Sequence, residues 1–245
     1  MKGLKFTIVL FALLLLVGCA SVPQPPVPLT NDYWEKNDPQ LGIYVKPLEK
    51  PQFYMEGDVR LLDYAVNAAV MSPVTSHFES LEVTDYDVLR EDIKQYFSDQ
   101  GKQVKLLVDD LKISDLSNYS DPDKEDTVYF AKKDYTGLKK KYGIDHLLVV
   151  IPERVGLARP YQGFIPMGEP RAIFEVKGEL VDLETNQLLW YAEISRDNFS
   201  SGVWDEPPTY PGLTNGFYAA LEAIKQDVLN HLQKKAEKQA KLDIK

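Results

Sequence analysis

The sequence predicts one α/β domain, in which helices pack on a mixed sheet, behind an N-terminal leader. Its 245 residues are 44% hydrophobic and 27% charged, which is typical of a globular chain with a buried core and not of a disordered one. Within residues 40–233 the periodicities follow the order strand, helix, strand, helix, strand, hairpin, helix. A twelve-residue apolar run at 6–17 lies outside this pattern and precedes the chain's one cysteine, Cys19.

Apolar side chains at helical spacing predict four helices in the domain. The stripe of the first helix, about residues 59–71, consists of Leu61, Leu62, Ala65, Ala68 and Ala69. We expect Pro73 to interrupt this helix, because its ring prevents the hydrogen bond to the preceding turn. A capping-box pattern at Thr84 predicts the start of the second helix. The remaining helices are expected over about residues 128–142 and 214–232.

Short apolar runs bounded by turn residues predict five strands. The run at 144–151, Ile-Asp-His-Leu-Leu-Val-Val-Ile, is the most apolar and is therefore expected at the centre of the sheet. In residues 188–195, every second side chain is apolar and is expected to point inward, as in a half-buried antiparallel strand: Leu188, Trp190, Ala192 and Ile194. Residues 188–195 are predicted to form a hairpin with 172–181 across the polar turn at 182–187. The other two strands are expected at 42–47 and 104–108.

The charge balance and the rare residue types exclude several classes of protein. Lys and Arg total 28 against 37 Asp and Glu, a net charge of −9, whereas nucleic-acid binding requires a basic face. One cysteine excludes an internal disulfide framework and a cysteine zinc site. The three histidines, His77, His146 and His231, are too dispersed in sequence to indicate a metal centre. We therefore expect no nucleic-acid partner, no metal and no cofactor.

The N-terminal segment has the charge order of a secretory signal. Lys2 and Lys5 precede the apolar run, which is shorter than the roughly 20 residues that cross a bilayer. The segment ends in Leu16-Val17-Gly18-Cys19, which resembles the lipobox of bacterial lipoproteins. The resemblance implies cleavage after residues 1–18 and acylation of the Cys19 thiol and of the new amino terminus. Ala20, in place of Asp, implies sorting to the outer membrane of a Gram-negative bacterium.

A spacer is predicted between the lipidated cysteine and the domain. Residues 19–39 include four prolines between Ser21 and Leu29, which is typical of a polyproline II segment. At about 3.1 Å per residue, that stretch would lift the domain roughly 28 Å from the lipid. The predicted organisation is therefore a cleaved signal, a spacer at 19–39, a periplasmic domain at 40–233 and a Lys-rich tail at 234–245.

The domain carries a second resemblance. Its hairpin reads Val181-Asp-Leu-Glu-Thr-Asn-Gln-Leu-Leu-Trp190, and Tyr-Gly-Ile-Asp at 142–145 leads into the central strand. This arrangement is similar to periplasmic lipoprotein domains related to the curli-transport lipoprotein, the penicillin-binding-protein activator lipoproteins and the TolB amino-terminal domain. The resemblance covers about residues 40–233 and implies a non-enzymatic envelope protein that works through contacts. The matching residues are Asp182, Thr185, Asn186, Leu189 and Trp190.

Two irregular segments are candidates for binding a partner. Residues 154–170 are predicted as a connection without a clear period, and connections of that length are often functional. Their side chains either bind a partner or fold back onto the sheet edge. Residues 203–212 place aromatic side chains beside prolines, which favours a cap on the core over a platform for a glycan or peptide. The candidate residues are Arg159, Tyr161, Phe164, Ile165 and Met167 in the first segment and Trp204 and Tyr210 in the second.

Patterns for metal binding and catalysis are weak. Residues 121–126 hold four carboxylates but lack the alternating ligands and central glycine of an EF-hand loop, so a solvated acidic loop is expected. The sequence has no Gly-x-Ser-x-Gly, no His-Glu-x-x-His and no phosphate-binding glycine loop. Glu175 and Glu179 are better explained as exposed charges on one strand than as a glycosidase pair. We expect no catalytic residue and no enzymatic activity.

Together these features predict a membrane-anchored, periplasm-facing lipoprotein that acts as a non-enzymatic interaction or assembly module of the cell envelope, with an envelope protein as its partner. An alternative is an oligomeric pore or secretion-ring subunit of the outer membrane, which needs membrane-crossing strands of about 9–11 residues. Only the hairpin at 172–195 approaches that pattern. An envelope hydrolase is the third candidate.

Overall fold

The computed structural model confirms the α/β class and shows a seven-stranded mixed sheet with five α-helices among the residues it describes. Those residues are 23–35, 39–108, 111–120, 128–199 and 202–233. The predicted lipobox with Cys19, the acidic residues 121–126 and the Lys-rich tail lie outside them. The helices are α1 (Asn31–Glu35), α2 (Leu61–Glu79), α3 (Val88–Asp99), α4 (Thr136–Tyr142) and α5 (Pro211–Gln233). The strands are β1 (Leu41–Val45), β2 (Gln52–Asp58), β3 (Val104–Leu106), β4 (His146–Gln162), β5 (Ile165–Pro166), β6 (Arg171–Asp182) and β7 (Leu188–Phe199).

Strand β4 lies at the centre of the sheet, as its apolar sequence predicts. The strand order is β3-β1-β4-β6-β7. The first part of β4 pairs in parallel with β1 and its last part pairs in parallel with β2, so these two strands share one side of it. On the other side β6 runs antiparallel to β4 along most of its length, and β7 pairs antiparallel with β6 as the predicted hairpin.

Most of the helices pack against one face of the sheet. Apolar side chains of α2, α3 and α5 meet those of β1, β4, β6 and β7 in the larger hydrophobic core. Residues between β3 and β4 cover part of the other face and form a smaller core there. In β7, Trp190, Ala192 and Ile194 point into the larger core as predicted, whereas Leu188, predicted on the same side, lies in the smaller core. Within the described parts of the chain, no helix combines the length and the apolarity needed to cross a bilayer.

The last part of the predicted spacer packs on the domain. The backbone of Val27 pairs with that of Tyr191 in β7 through hydrogen bonds of 3.0 and 2.9 Å. The side chains of Leu29 and Tyr33 are buried in the larger core. The ammonium of Lys102 donates a 2.6 Å hydrogen bond to the carbonyl oxygen of Tyr33. Residues of the predicted spacer therefore contact the sheet and its core, because proline content does not reveal which apolar side chains find a site on the sheet.

Pro73 does not end helix α2, contrary to the prediction. The helix continues to Glu79, and Pro73 lies on its exposed side. Water can reach the carbonyl group that loses its hydrogen bond there, which reduces the cost of the proline. Met71, Val74 and Phe78 are buried on either side of it, so packing stabilises the helical path through the proline.

Helix α3 has the predicted apolar face but not the predicted start. Residues Thr84–Asp87 form a 3₁₀ turn, and no side chain caps α3. The helix itself begins at Val88, which corrects the predicted capping box. The burial of Tyr86, Leu89, Ile93 and Phe97 holds this helix on the sheet.

Only the C-terminal half of the helix predicted at 128–142 is helical, as α4. The residues immediately before α4 are not helical, and the buried side chain of Asn186 explains why. Its amide donates hydrogen bonds to the carbonyl oxygens of Ala131 (3.1 Å) and Lys133 (3.0 Å). Its carbonyl oxygen accepts a 2.9 Å hydrogen bond from the N–H of Tyr135. A helix would need the same backbone groups, so these bonds compete with it.

Candidate interaction surface

Residues 154–170, predicted as an irregular connection, form most of a β-hairpin. The second half of β4 covers the segment up to Gln162, and a turn at Gly163 and Phe164 leads into the short β5. Gly156 lies inside β4 with φ at 144°, and a Cβ there would overlap the carbonyl oxygen of Gln52 in β2. Gly156 therefore allows the neighbouring strand β2 to approach closely. The prediction that this segment is an irregular connection is wrong.

Arg159 brings the two candidate segments together. Its guanidinium lies 4.7 Å from the ring centroid of Trp204 and 5.7 Å from that of Tyr161. Its Nε donates a 2.8 Å hydrogen bond to the carbonyl oxygen of Gly168, across the hairpin. One guanidinium nitrogen lies 3.5 Å from the Sδ of Met71 in α2. Arg159 therefore links β4, α2 and the Trp204 segment, and its charged plane is stabilised by the neighbouring rings.

The tyrosines among the candidate residues belong to the core. The side chains of Tyr161 and Tyr210 are both buried, and Tyr161 packs edge-on against Phe53. The ring of Tyr210 lies 5.5 Å from that of His77 in α2. Trp204 is half-buried against the larger core. These contacts favour the interpretation that residues 203–212 cap the core, and they leave little of either tyrosine for a partner to touch.

Phe164, Ile165 and Met167 are the candidate residues that remain on the surface. Each is about three-fifths exposed, at 59%, 59% and 60% of the residue's full accessible area. Phe164 lies in the turn, Ile165 in the short return strand β5 and Met167 directly after it. Full burial of one such side chain is worth about 1.5–3 kcal/mol, so the tip carries apolar surface that a contact could use.

Helix α2 presents its apolar stripe to solvent, which reverses the expectation from periodicity. The predicted stripe of leucines and alanines is exposed except at Ala68, which is half-buried. Tyr64, Val66 and Val70 extend the exposed apolar side. A helix that is apolar on its outer side is typical of one that has a further partner. The exposed fractions are 88% for Leu61, 71% for Leu62, 53% for Tyr64, 43% for Val66 and 69% for Val70.

Polar side chains lie underneath α2 and determine which side faces inward. The Asp63 carboxylate accepts a 3.1 Å hydrogen bond from the N–H of Arg60 at the start of the helix. The Asn67 amide donates a 3.1 Å hydrogen bond to the carbonyl oxygen of Gly163 in the hairpin turn. Both side chains are buried. The hydrogen bond from Asn67 holds the hairpin turn against the first half of the helix.

The hydrogen bond from Asn67 to Gly163 brings α2 and the hairpin turn together at one end of the sheet. We define the apolar end surface as the exposed large apolar side chains of these two elements. Hydrophobic periodicity detects the stripe on α2 but not its direction, so the sequence alone did not identify the helix as part of a surface. The apolar end surface consists of Leu61, Leu62, Val66 and Val70 of α2 and Phe164, Ile165 and Met167 of the hairpin.

On the sheet face opposite α2, strands β2, β4, β6 and β7 are connected by ion pairs. Arg154 contacts Glu175 at 2.7 Å and Glu56 at 3.2 Å. Arg171 contacts Glu56 at 2.8 Å and Asp197 at 3.2 Å. Partial burial opposes ionisation of Glu56, but hydrogen bonds from Arg171 and Arg154 outweigh it and lower the pKa of this carboxyl. This network accounts for Glu175 as a structural residue.

Glu179 is buried, although the sequence predicts an exposed charge. Its carboxylate lies 3.0 Å from the ammonium of Lys177 and accepts a 3.1 Å hydrogen bond from the hydroxyl of Tyr135. Burial, together with the neighbouring carboxylate, raises the pKa of Tyr135. Glu175 and Glu179 therefore belong to separate polar clusters, each with its own partners.

The described histidines do not converge on one site. The ring of His146, at the start of β4, lies 5.6 Å from the ring of Tyr33. His77 is within hydrogen-bond distance, 2.9 Å, of the hydroxyl of Thr214. In the part of the chain that the structure describes, no group of three or more His, Cys, Asp or Glu side chains is placed to hold a metal ion.

Solved structures similar to this chain include a bacterial lipoprotein. Lipoprotein GNA1162 from Neisseria meningitidis is 14% identical, with a TM-score of 0.30, over 80% of this chain and 99% of that chain. The PelC dodecamer from Paraburkholderia phytofirmans is 13% identical, with a TM-score of 0.31, over 86% and 94% of the two chains. The LpoB C-terminal domain from Salmonella enterica is 9% identical, with a TM-score of 0.21, over 64% and 82%. No protein-family model matches the chain, and no curated protein matches it significantly.

Proposed function

We propose that this chain is a lipoprotein anchored to the outer membrane of a Gram-negative bacterium, whose periplasmic domain binds another envelope protein without catalysing a reaction. The observation that carries the proposal is the apolar end surface, where seven large apolar side chains are exposed at one end of the sheet. Several large exposed apolar side chains at one end of a folded domain are typical of an interaction site. The lipobox pattern supports the anchor, since two or more acyl chains hold a protein stably on a membrane.

The apolar end surface is large enough for a reversible contact. Burying about half of the area that its seven side chains expose would contribute roughly 3–7 kcal/mol, at 1.5–3 kcal/mol for each full burial. Association costs several kcal/mol in lost translational and side-chain freedom. The remainder is at most a few kcal/mol, which corresponds to weak binding of about millimolar order and suits a contact that forms and dissociates in the periplasm.

The position of Val27 supports a role for this surface away from the membrane. Val27 pairs with Tyr191 of β7. Across the sheet, Tyr191 lies opposite Glu179 of β6, and Glu179 lies opposite Val149 near the start of β4. The hairpin turn follows the far end of β4, about 40 Å away at roughly 3.3 Å per strand residue. The few residues between Cys19 and Val27 span at most roughly 29 Å. An anchor at one end of the sheet can thus hold the apolar end surface out toward a periplasmic partner.

The contacts of the conspicuous carboxylates support a non-enzymatic role. Glu56 and Glu175 are bound by Arg154, and Glu179 is bound by Lys177 and Tyr135. These ion pairs and hydrogen bonds hold together neighbouring strands, or the sheet and the segment between β3 and β4 that covers it. The candidate residues that are most exposed are instead apolar, which favours contact over chemistry.

The proposal is tested by site-specific photo-crosslinking in intact cells. A photoreactive amino acid replaces Leu62 in one variant and Phe164 in a second, and it replaces the exposed Ser98 at the end of α3 in the control. We expect an adduct of defined mass from positions 62 and 164 and none from position 98. Metabolic labelling with a fatty-acid probe, compared with a Cys19→Ser variant, establishes separately whether the chain is acylated.

The mass of the adduct decides between the proposal and its alternative. No adduct from either test position, in protein that is acylated and resistant to protease, would contradict the proposal. An adduct of twice the mass of the chain would show contact between identical subunits, which favours an oligomeric ring or pore subunit. Hydrolysis of cell-wall or peptide substrates by the purified protein would contradict the non-enzymatic role.

A further inference from the structure

Acidic side chains border the apolar end surface. Asp58 ends β2, and its carbonyl oxygen accepts a 2.8 Å hydrogen bond from the N–H of Gly163 in the hairpin turn. Glu169 follows Gly168 on the return arm of the same hairpin. Asp205 and Glu206 follow Trp204, whose ring lies against Arg159. The acidic rim is defined as Asp58, Glu169, Asp205 and Glu206, all of which are exposed.

The basic side chains nearby offset little of this charge. Arg60 is exposed at the start of α2. The guanidinium of Arg159 is stacked on Trp204 and hydrogen-bonded to Gly168, and Arg171 is held by Glu56 and Asp197. Of the charged groups identified at this end, four rim carboxylates therefore face one exposed arginine. The rim has a local negative field in a chain that is acidic overall.

We propose that the occupant of the apolar end surface is a segment of a partner protein that carries apolar side chains flanked by lysine or arginine. This inference rests on the proposed function and adds the chemistry of the partner. The apolar side chains would cover Leu62, Val66 and the hairpin tip, while the basic groups would reach the acidic rim. Charges at the edge of a contact set its specificity and its association rate more than its total affinity.

The acidic rim disfavours two alternative occupants of this surface, which are a second copy of the chain and an anionic membrane. In a symmetric dimer the same patch meets itself, so the four carboxylates of one copy would approach those of the other. Like charges that face each other across an interface cost several kcal/mol in general and suppress that pairing. Anionic lipid headgroups would meet the same repulsion, whereas membrane-binding surfaces are rich in lysine and arginine.

The test uses the full acylated chain in nanodiscs of zwitterionic phosphatidylcholine. Because Cys19 is the one cysteine of the sequence, a Phe164→Cys variant offers a single free thiol for an environment-sensitive fluorophore once Cys19 is acylated. The probes are two 18-residue helical peptides, one made of leucine and lysine and the other of leucine and glutamate with the same apolar pattern. Labelled Ser98→Cys protein and empty nanodiscs serve as controls.

We expect the leucine–lysine peptide to shift the fluorescence of the label at position 164 and to leave the label at 98 unchanged. The leucine–glutamate peptide should bind at least tenfold more weakly at low salt. Exposed ion pairs each change affinity by roughly 1.5- to fivefold. Reversing three rim charges with Asp58→Lys, Glu169→Lys and Asp205→Lys should therefore weaken the leucine–lysine peptide about tenfold. The matched reversal of three exposed carboxylates at α3, Asp87→Lys, Glu91→Lys and Asp99→Lys, should change binding less than threefold.

Three results would overturn the inference. They are equal binding of the two peptides, equal effects of the rim reversal and the α3 reversal, or a shift of the label at 164 in phosphatidylglycerol nanodiscs without any peptide. Each would leave the proposed function standing if photo-crosslinking at Leu62 and Phe164 still captures a second protein. The failure of the charge argument is thus separate from the failure of the interaction site.

Discussion

Replacing Asn186 tests how one buried side chain holds the segment that precedes α4. Asn186 is fully buried, has a positive φ of 63° and makes three hydrogen bonds to the backbone around Tyr135. Asn186→Ala removes all three bonds, at about 1 kcal/mol each, and leaves their backbone partners buried. Alanine is also strained in a left-handed conformation by about 1 kcal/mol. We therefore expect this variant to lower the free energy of unfolding by about 4 kcal/mol.

Two companion variants separate the hydrogen bonds from the backbone conformation. Asn186→Gly loses the same hydrogen bonds but tolerates the positive φ, so it should cost about 3 kcal/mol. Asn186→Asp keeps an acceptor for the N–H of Tyr135 but loses both donated bonds, which should also cost more than 1 kcal/mol. The assay is equilibrium unfolding in urea at pH 7, monitored by tryptophan fluorescence. An alanine variant within about 1 kcal/mol of the wild type, or a glycine variant less stable than alanine, would refute this reasoning.

Three other predictions concern the interaction surface, the N-terminal segment and the ion-pair network. Leu62→Lys should change the free energy of unfolding by no more than about 0.5 kcal/mol, because the side chain is exposed. Met71→Ala, on the buried side of α2, should lower it by about 2–5 kcal/mol. Urea unfolding of both variants tests which side of α2 is buried. Val27→Pro removes the N–H that bonds to Tyr191, so it should cost about 1 kcal/mol and speed proteolysis near the N-terminus; unchanged cleavage would contradict this packing. The pKa of Glu56 is lowered in the folded state, so its ion pairs stabilise the protein above the unfolded pKa, and that contribution is lost as the pH falls through the folded pKa. Glu56→Gln should thus be less stable than the wild type at pH 7, and the difference should disappear in acid; a constant difference in a pH series of unfolding curves would contradict the assignment.

Helix α2 shows why a correct pattern led to a wrong orientation. The stripe of Leu61, Leu62 and the alanines has helical spacing, and the helix forms. The usual assumption that an apolar stripe faces the core fails here, because Asp63 and Asn67 are buried on the opposite side of the helix with hydrogen-bond partners. Asp63 accepts a hydrogen bond from the N–H of Arg60 at the start of the helix, and Asn67 donates one to the carbonyl oxygen of Gly163 in the hairpin turn. One of those partners, Gly163, lies almost a hundred residues away in the chain. No local pattern reports that a buried polar side chain has a distant partner.

The hairpin at 154–170 shows the opposite error. Glycines and prolines indicate a connection when they are read locally. Gly156 is instead required by the close approach of Gln52 in β2. A strand of 17 residues is stable there because β2 and β6 pair with its two sides, and neither pairing can be deduced from the residues of β4 alone. Phe164, Ile165 and Met167, which the sequence offers as partner-binding candidates, are exposed at the tip.

By itself the sequence determined the features that depend on neighbours in the chain. These are the sequence pattern at 16–19 that resembles a lipobox, the apolar run of β4, the inward side chains at 190–194 of β7 and the stripe of α5, because each is a periodicity or a motif within a few turns of backbone. Only the tertiary structure decided that α2 exposes its apolar side, that Arg159 joins the two candidate segments and that Val27 packs on β7. These features depend on contacts between residues far apart in sequence, whose free energy is set by how the whole chain packs.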